Sequence, residues 1–127
     1  DFATLTGAVL VALGHVAAGV LGTHEDLINQ VKLSSKNSGE KVWELPLWPE
    51  FCKQIKSEIA DVKNTGAPMQ AGTIAGAAFL KEFVGKNIPW VHFDIAGTAW
   101  GSKTTSIDPK GSATGWGVCI VLDMLNA

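Results

Sequence analysis

Apolar and polar residues recur with two different periods along this chain, and the switches between them mark its elements. From Trp90 to Ala96 the period is two: Val91, Phe93 and Ile95 share one face, and Trp90, His92 and Asp94 the other. That alternation predicts a strand. Elsewhere the spacing is helical. Leu27, Ile28 and Val31 form a stripe that opens at Thr23-His-Glu-Asp26, with Thr23 expected as N-cap of a capping box, and closes at Gly39. A second helix is expected from Pro49, with Phe51, Cys52, Ile55 and Ile59 on its apolar side. A third runs from about Ile74 to Val84 and carries Ala75, Ala78, Phe79 and Phe83 before Gly85 stops it. A last helix places Val118, Val121, Leu122 and Leu125 on one side.

The remaining stretches fit around these. Residues 1–6 read as the end of a strand, and Gly7–Leu13 as a short buried helix ended by Gly14. Val16–Leu21 is an apolar run of small residues expected to be buried on both faces. Gly66, Pro68 and Gly72 punctuate residues 61–73, which read as strand end and loop, and a polar loop spans Gly97 to Gly115. Strands thus alternate with helices, without an internal repeat. The pattern predicts an α/β protein, a three-layer α/β/α arrangement with a mainly parallel or mixed sheet.

Phe2 to Gly22 holds no Lys, Arg, Asp or Glu and is long enough to span a bilayer. Gly7, Gly14, Gly19, Gly22 and His15 interrupt it, and no basic residues flank it. A buried strand–helix–strand unit fits better, so no membrane partner is expected. At 127 residues the chain is one domain. Its 46% apolar content supports a core, whereas 17% charge falls below the roughly 25% usual for soluble domains. A surface so poor in charge is expected to be covered by other parts of the protein or by sister subunits. Ten basic residues against 12 acids leave no basic stripe to neutralise phosphates, which argues against nucleic acid. Cys52 and Cys119 make no CxxC pair, so a reducing, cytoplasmic setting is expected. The absent initiator Met points to a processed chain or a piece of a longer one.

Candidate chemistry is sparse. His15, His24 and His92 share no metal-ligand spacing. His92 and Asp94 emerge from one strand face and could ligate or pair, although a structural hydrogen bond inside the sheet is the favoured reading. No GxSxG elbow exists, since Ala113 occupies the centre of Gly111–Gly115. Cys52 reads as packing rather than as a nucleophile. Gly97-Thr-Ala-Trp-Gly-Ser102-Lys103-Thr104 departs by one residue from a phosphate-binding loop. Ser102 replaces the needed glycine, and Pro109 among the following turn formers denies the anion a helix N-terminus. The strand-to-helix turn at Asp1-Phe-Ala-Thr-Leu-Thr-Gly7 is either a plain turn or a ligand site, because α/β sheets bind ligands at the carboxyl ends of strands.

Four motifs then occur in order: Ala3-Thr-Leu-Thr-Gly-Ala8; Asn64-Thr-Gly66 with Ala71-Gly72 and Ala77-Ala-Phe-Leu80; His92-Phe-Asp-Ile-Ala-Gly97; and Ala113-Thr-Gly115. Together they resemble the leucyl aminopeptidase (cytosol aminopeptidase) family of metallopeptidases. The resemblance covers residues 1–127 and corresponds to the C-terminal portion of the family's catalytic domain, so upstream strands and helices would be missing here. It implies a fragment of a metal-dependent aminopeptidase that releases leucine-like N-terminal residues from peptides, in a homo-oligomer, a hexamer. The family's two divalent metal ions, Zn or Mn, would be bound outside this chain, which holds no match to the lysine–aspartate segment or the Asn-Thr-Asp-Ala-Glu-Gly-Arg motif. No catalytic or metal residue is therefore assigned, and this chain alone is expected to be inactive.

By the same resemblance the chain supplies the substrate-cleft wall. Leu5 would offer its carbonyl and Gly7 its N–H to the peptide backbone. Thr4, Gly7, Ala96 and Ala99 would line the pocket for the N-terminal side chain, and Thr65 would touch the residue after the scissile bond. Ala67 stands where many members carry a second glycine, and Cys119 where arginine is common. The alternative is a non-catalytic structural or binding relative that kept the fold and lost the metals.

Overall fold

The period-two stretch forms a strand, β4 (Val91–Asp94), with all four residues buried. In the computed structural model, residues 1–101 and 111–126 are described. Among them β4 lies inside a four-stranded sheet with β1 (Phe2–Ala3), β2 (Ala18–Gly22) and β3 (Val42–Glu44), in the order β1-β4-β2-β3. β1 runs parallel to β4 and β2 parallel to β3, while β2 and β4 are antiparallel, so the sheet is mixed.

Alternation along the strands sends side chains into two separate cores. Val20, Val91 and Phe93 pack with Ile28 and Val31 of α2 (Glu25–Ser38) and Ile120 of α5 (Val118–Asn126). Leu21 faces the other way and packs with Ile74 and Ala77 of α4 (Gly72–Lys81). α1 (Gly7–Leu13) shares that second face, where its Val9 approaches Gly19. Helices therefore cover both faces, giving the three-layer α/β/α architecture. Phe2 stacks on Phe93 with ring centroids 4.3 Å apart, and Trp116 tilts against both rings. Aromatic contacts of this kind close the β1 edge over the first core.

Several boundaries depart from the sequence pattern, each for a visible reason. The N-cap of α2 is His24, not Thr23. The Thr23 hydroxyl is engaged elsewhere, accepting the Trp90 N–H at 3.1 Å and pairing with His24 Nδ1 at 2.8 Å. The helix from Pro49 is short: α3 (Pro49–Cys52) passes into a 3₁₀ turn, Lys53–Ile55, and Lys56 turns extended. Ile55 is buried there, but Ile59 is 99% exposed, so it does not continue the stripe. Cys52 is half-buried. No strand forms at residues 61–73; Lys56 and Val62 make a single antiparallel bridge instead. α4 ends at Lys81, which leaves Phe83 exposed. On α5 the inward side is Ile120 with Val121 and Met124, whereas Val118, Leu122 and Leu125 are exposed. The Glu40 carboxylate fixes that rotation by gripping the start of the helix.

None of the described helices is long and apolar enough to cross a membrane. The Phe2–Gly22 run is instead β1, α1 and β2 in succession. Ser102, Lys103, Thr104 and Pro109, the residues that decide against a phosphate loop, lie outside the described residues.

Candidate functional site

β1 and β4 are parallel neighbours with Ala3 opposite Asp94, so both chains leave the sheet at the same edge. Carboxyl ends of adjacent parallel strands are where open α/β sheets hold ligands. From β1 come Thr4, Leu5, Thr6 and Gly7, which turn into α1; from β4 come Ile95 to Ala99. The Ile95 N–H donates to Ala3 O at 2.9 Å, continuing the pairing one residue past the strands.

Asp94 binds these two segments together. Its Oδ1 accepts from the backbone N–H of Leu5 at 3.2 Å, of Thr6 at 3.4 Å and of Ala96 at 3.3 Å. Its Oδ2 accepts the Thr6 hydroxyl at 2.6 Å. The side chain is fully buried, and four donors around a buried carboxylate replace the water it has lost. Gly19 lies opposite Asp94 across the sheet. Thr6 is also the N-cap of α1: its Oγ1 accepts the Val9 N–H at 3.2 Å and lies 3.1 Å from Thr73 Oγ1 on α4. Gly7 is thereby the first residue of α1, where backbone N–H groups have no partner inside the helix.

Close approaches shape the rest of this edge. A Cβ at Gly76 of α4 would lie 3.0 Å from Leu5 Cδ2 and 3.1 Å from Thr6 Cγ2, so the glycine lets α4 press against the turn. A Cβ at Gly97 would lie 2.2 Å from the Gly14 carbonyl oxygen. Gly97 O meets His15 Nδ1 at 2.8 Å, which ties the end of α1 to the segment after β4. Beyond it, Ala99 N–H donates to Ile95 O at 2.9 Å and Ala99 O accepts from Thr114 N–H at 3.0 Å. The Thr114 hydroxyl donates to Thr98 O at 2.7 Å. The Ala113-Thr-Gly115 motif is thus a brace for the loop carrying Ala99.

Thr4, Leu5, Gly7, Ala96 and Ala99 accordingly issue from one edge. Thr4, Leu5 and Gly7 are exposed there, and Ala96 and Ala99 half-exposed. Thr65 belongs to a different segment: it is exposed on the loop before α4, beside Gly66, whose missing Cβ makes room for Ala75 and Gln54. Gly7 also lines a groove of about 560 Å³ between α1 and the 67–74 segment, with Val11 and Met69 at its lips. Met69 and Ala71 in that segment have positive φ, 60° and 44°, a costly backbone for residues with a Cβ. The composition of that segment gave no warning of the strain.

His92 and Asp94 share a strand face as the alternation requires, but each bonds elsewhere. His92 is buried and its Nδ1 lies 2.6 Å from Asp1 Oδ1. Asp1 Oδ2 accepts the Trp90 indole N–H at 2.6 Å. Burial pushes the imidazole down to about 4, and the Asp94 charge opposes that shift. The ring is therefore neutral near pH 7 and donates its Nδ1 proton to Asp1. Both residues make structural hydrogen bonds, the favoured sequence reading. Among the described residues no group of three or more His, Cys, Asp or Glu side chains could hold a metal ion. These residues do not fit a two-metal centre by themselves.

The geometry defines an α/β protein with a mixed sheet in which two parallel strands send exposed turns out at their carboxyl ends. Residues 1–122 match the catalytic domain of the cytosol aminopeptidase family, and the chain belongs to that family. A probable cytosol aminopeptidase of Syntrophotalea carbinolica is 51% identical over 125 residues, which is 98% of this chain and 24% of that protein. One from Geobacter sulfurreducens is 50% identical over 127 residues, covering 25% of its length. A mutant of tomato leucine aminopeptidase superposes with a TM-score of 0.89 at 41% identity, covering 98% of this chain and 23% of that one. The chain spans about a quarter of the length of these relatives.

Proposed function

We propose that this chain is the C-terminal, substrate-cleft part of a metal-dependent aminopeptidase that releases leucine-like N-terminal residues from peptides. The observation that carries the reading is the shared strand edge. Leu5 and Gly7 stand on one side of it, and Ala96 and Ala99 on the other, in a chain of the cytosol aminopeptidase family. An exposed, turn-held backbone can pair with the substrate backbone, and small side chains leave volume for an apolar one. In this reading Leu5 O and Gly7 N–H bind the peptide main chain. Thr4, Gly7, Ala96 and Ala99 line the pocket, and Thr65 meets the residue after the scissile bond.

In this reading two divalent ions, Zn or Mn, would supply the activation of water and the polarisation of the scissile carbonyl, held by residues of the full-length protein outside this chain. The complete enzyme is a cytoplasmic homo-hexamer, in keeping with the low surface charge and the exposed Val118, Leu122 and Leu125 of α5. The test is hydrolysis of a leucine amide with manganese or zinc, by the isolated 127-residue chain and by the full-length protein. Metal-dependent turnover by the full-length protein alone is expected. Enzyme-like rates from the isolated chain contradict the placement of the metal ligands. An inert, metal-free full-length protein supports the structural relative instead.

A further inference from the structure

We propose that Asp94 is the positioning residue of the cleft: its carboxylate fixes the two walls relative to each other, and with them the choice of N-terminal side chain. The proposal rests on the reading of this edge as a peptide-binding cleft. Leu5 and Thr6 belong to one wall and Ala96 to the other, and a single oxygen, Oδ1, accepts from the N–H of all three. Those contacts are long, 3.2 to 3.4 Å, so none alone is a strong bond. The second oxygen makes the short one, 2.6 Å to the Thr6 hydroxyl, and bonds to a charged acceptor are about twice as strong as neutral ones.

The direction of these bonds matters as much as their strength. With the N–H groups of Leu5 and Thr6 turned inward to Asp94, the next donor along the turn is the Gly7 N–H at the open start of α1. The same carboxylate oxygen reaches Ala96, whose side chain would border the pocket. Moving Asp94 therefore moves a main-chain contact and a pocket wall together. It does so without the Asp94 side chain touching substrate, since that side chain is fully buried. Displacements of about 1 Å behind a site can cost on the order of 100-fold in rate.

The test uses full-length, metal-loaded protein in wild-type form and as Asp94→Ala, Asp94→Asn, Thr6→Val and Thr6→Ser. The first readout is amide hydrogen exchange over residues 4–8 and 95–97, which needs no activity. Asp94→Ala should speed exchange in both segments together, by tenfold or more, relative to the rest of the sheet. The second is kcat and KM for leucine and alanine amides. Asp94→Ala should raise KM for the leucine amide about tenfold and change the leucine-to-alanine ratio of kcat/KM. Asp94→Asn keeps an Oδ1 acceptor and should fall between Ala and wild type.

A role in stability alone lowers the active fraction for all substrates alike and leaves KM and the ratio unmoved; that result overturns the proposal. If Asp94→Ala does not fold, the Thr6 pair decides. Thr6→Ser keeps the hydroxyl and should stay nearer wild type in KM than Thr6→Val, and equal KM values overturn the proposal. Absent turnover in wild type defeats the peptidase reading, whereas unchanged exchange in Asp94→Ala defeats the clamp itself.

Discussion

Glu40 and Ile120 lie 80 positions apart in sequence, yet the Ile120 N–H donates to Glu40 Oε2 at 2.7 Å. Oε1 of the same carboxylate accepts from the Gly117 N–H at 2.7 Å. A negative charge thus sits at the start of α5, where unpaired N–H groups and the helix dipole favour it. Glu40→Ala should lower the unfolding free energy by roughly 1–3 kcal/mol. Glu40→Gln, which keeps one acceptor, should cost less. Urea denaturation of the purified proteins checks this, and coincident midpoints for all three would contradict the capping role.

Gly97 is fixed by a backbone contact rather than by its own torsion. A methyl group there would lie 2.2 Å from the Gly14 carbonyl oxygen, a neighbour that cannot rotate away. Gly97→Ala should therefore push the segment after β4 off α1, with a stability loss of about 1–3 kcal/mol from overpacking. Gly7→Ala meets nothing within 4 Å and should leave the unfolding midpoint close to wild type. Equal midpoints for the two variants would show that the Gly14–Gly97 approach is not a constraint.

His92 gives a pH dependence with a definite sign. Burial holds its folded-state value at about 4, below the ordinary 6.5. Between these values the unfolded chain binds the proton and the folded chain does not, so stability rises with pH across that window. The contribution is complete above pH 6.5 and is lost as pH falls towards 4. Urea midpoints at pH 5 and pH 7 should differ in wild type and differ less in His92→Asn. A larger pH effect in His92→Asn would reverse the assignment.

Local patterns carried much of this fold into the sequence. The alternation at Trp90–Ala96 marked β4, and Gly14 and Gly39 marked the ends of α1 and α2, where both have positive φ. Each of these signals depends on neighbours within a few residues. What was not legible depends on distant partners. β3 is three residues long and exists through parallel pairing with β2. Thr23 does not cap α2: its hydroxyl accepts from Trp90, 67 residues away, and His24 stands at the N-cap position without a side-chain capping bond. At the candidate site, Leu5, Gly7, Ala96 and Ala99 could be named from their motifs, but the position of Asp94 between them could not. Nothing near Asp94 in sequence shows that Thr6, 88 residues earlier, will meet it.

The most direct test of the cleft is Ala99→Leu in the full-length protein. Ala99 is half-exposed on the loop that Thr114 braces, beyond the end of β4. If Ala99 lines the substrate pocket as proposed, a leucine there should fill the volume for the substrate side chain and leave metal binding as it was. Changes of this size in an apolar pocket alter relative kcat/KM by roughly 10–200-fold. The measurement is the ratio of kcat/KM for leucine amide to that for alanine amide, in the variant and in wild type. A ratio reduced by about tenfold or more is the predicted result. An unchanged ratio, with both substrates slowed alike, would contradict the placement of Ala99 in the substrate pocket.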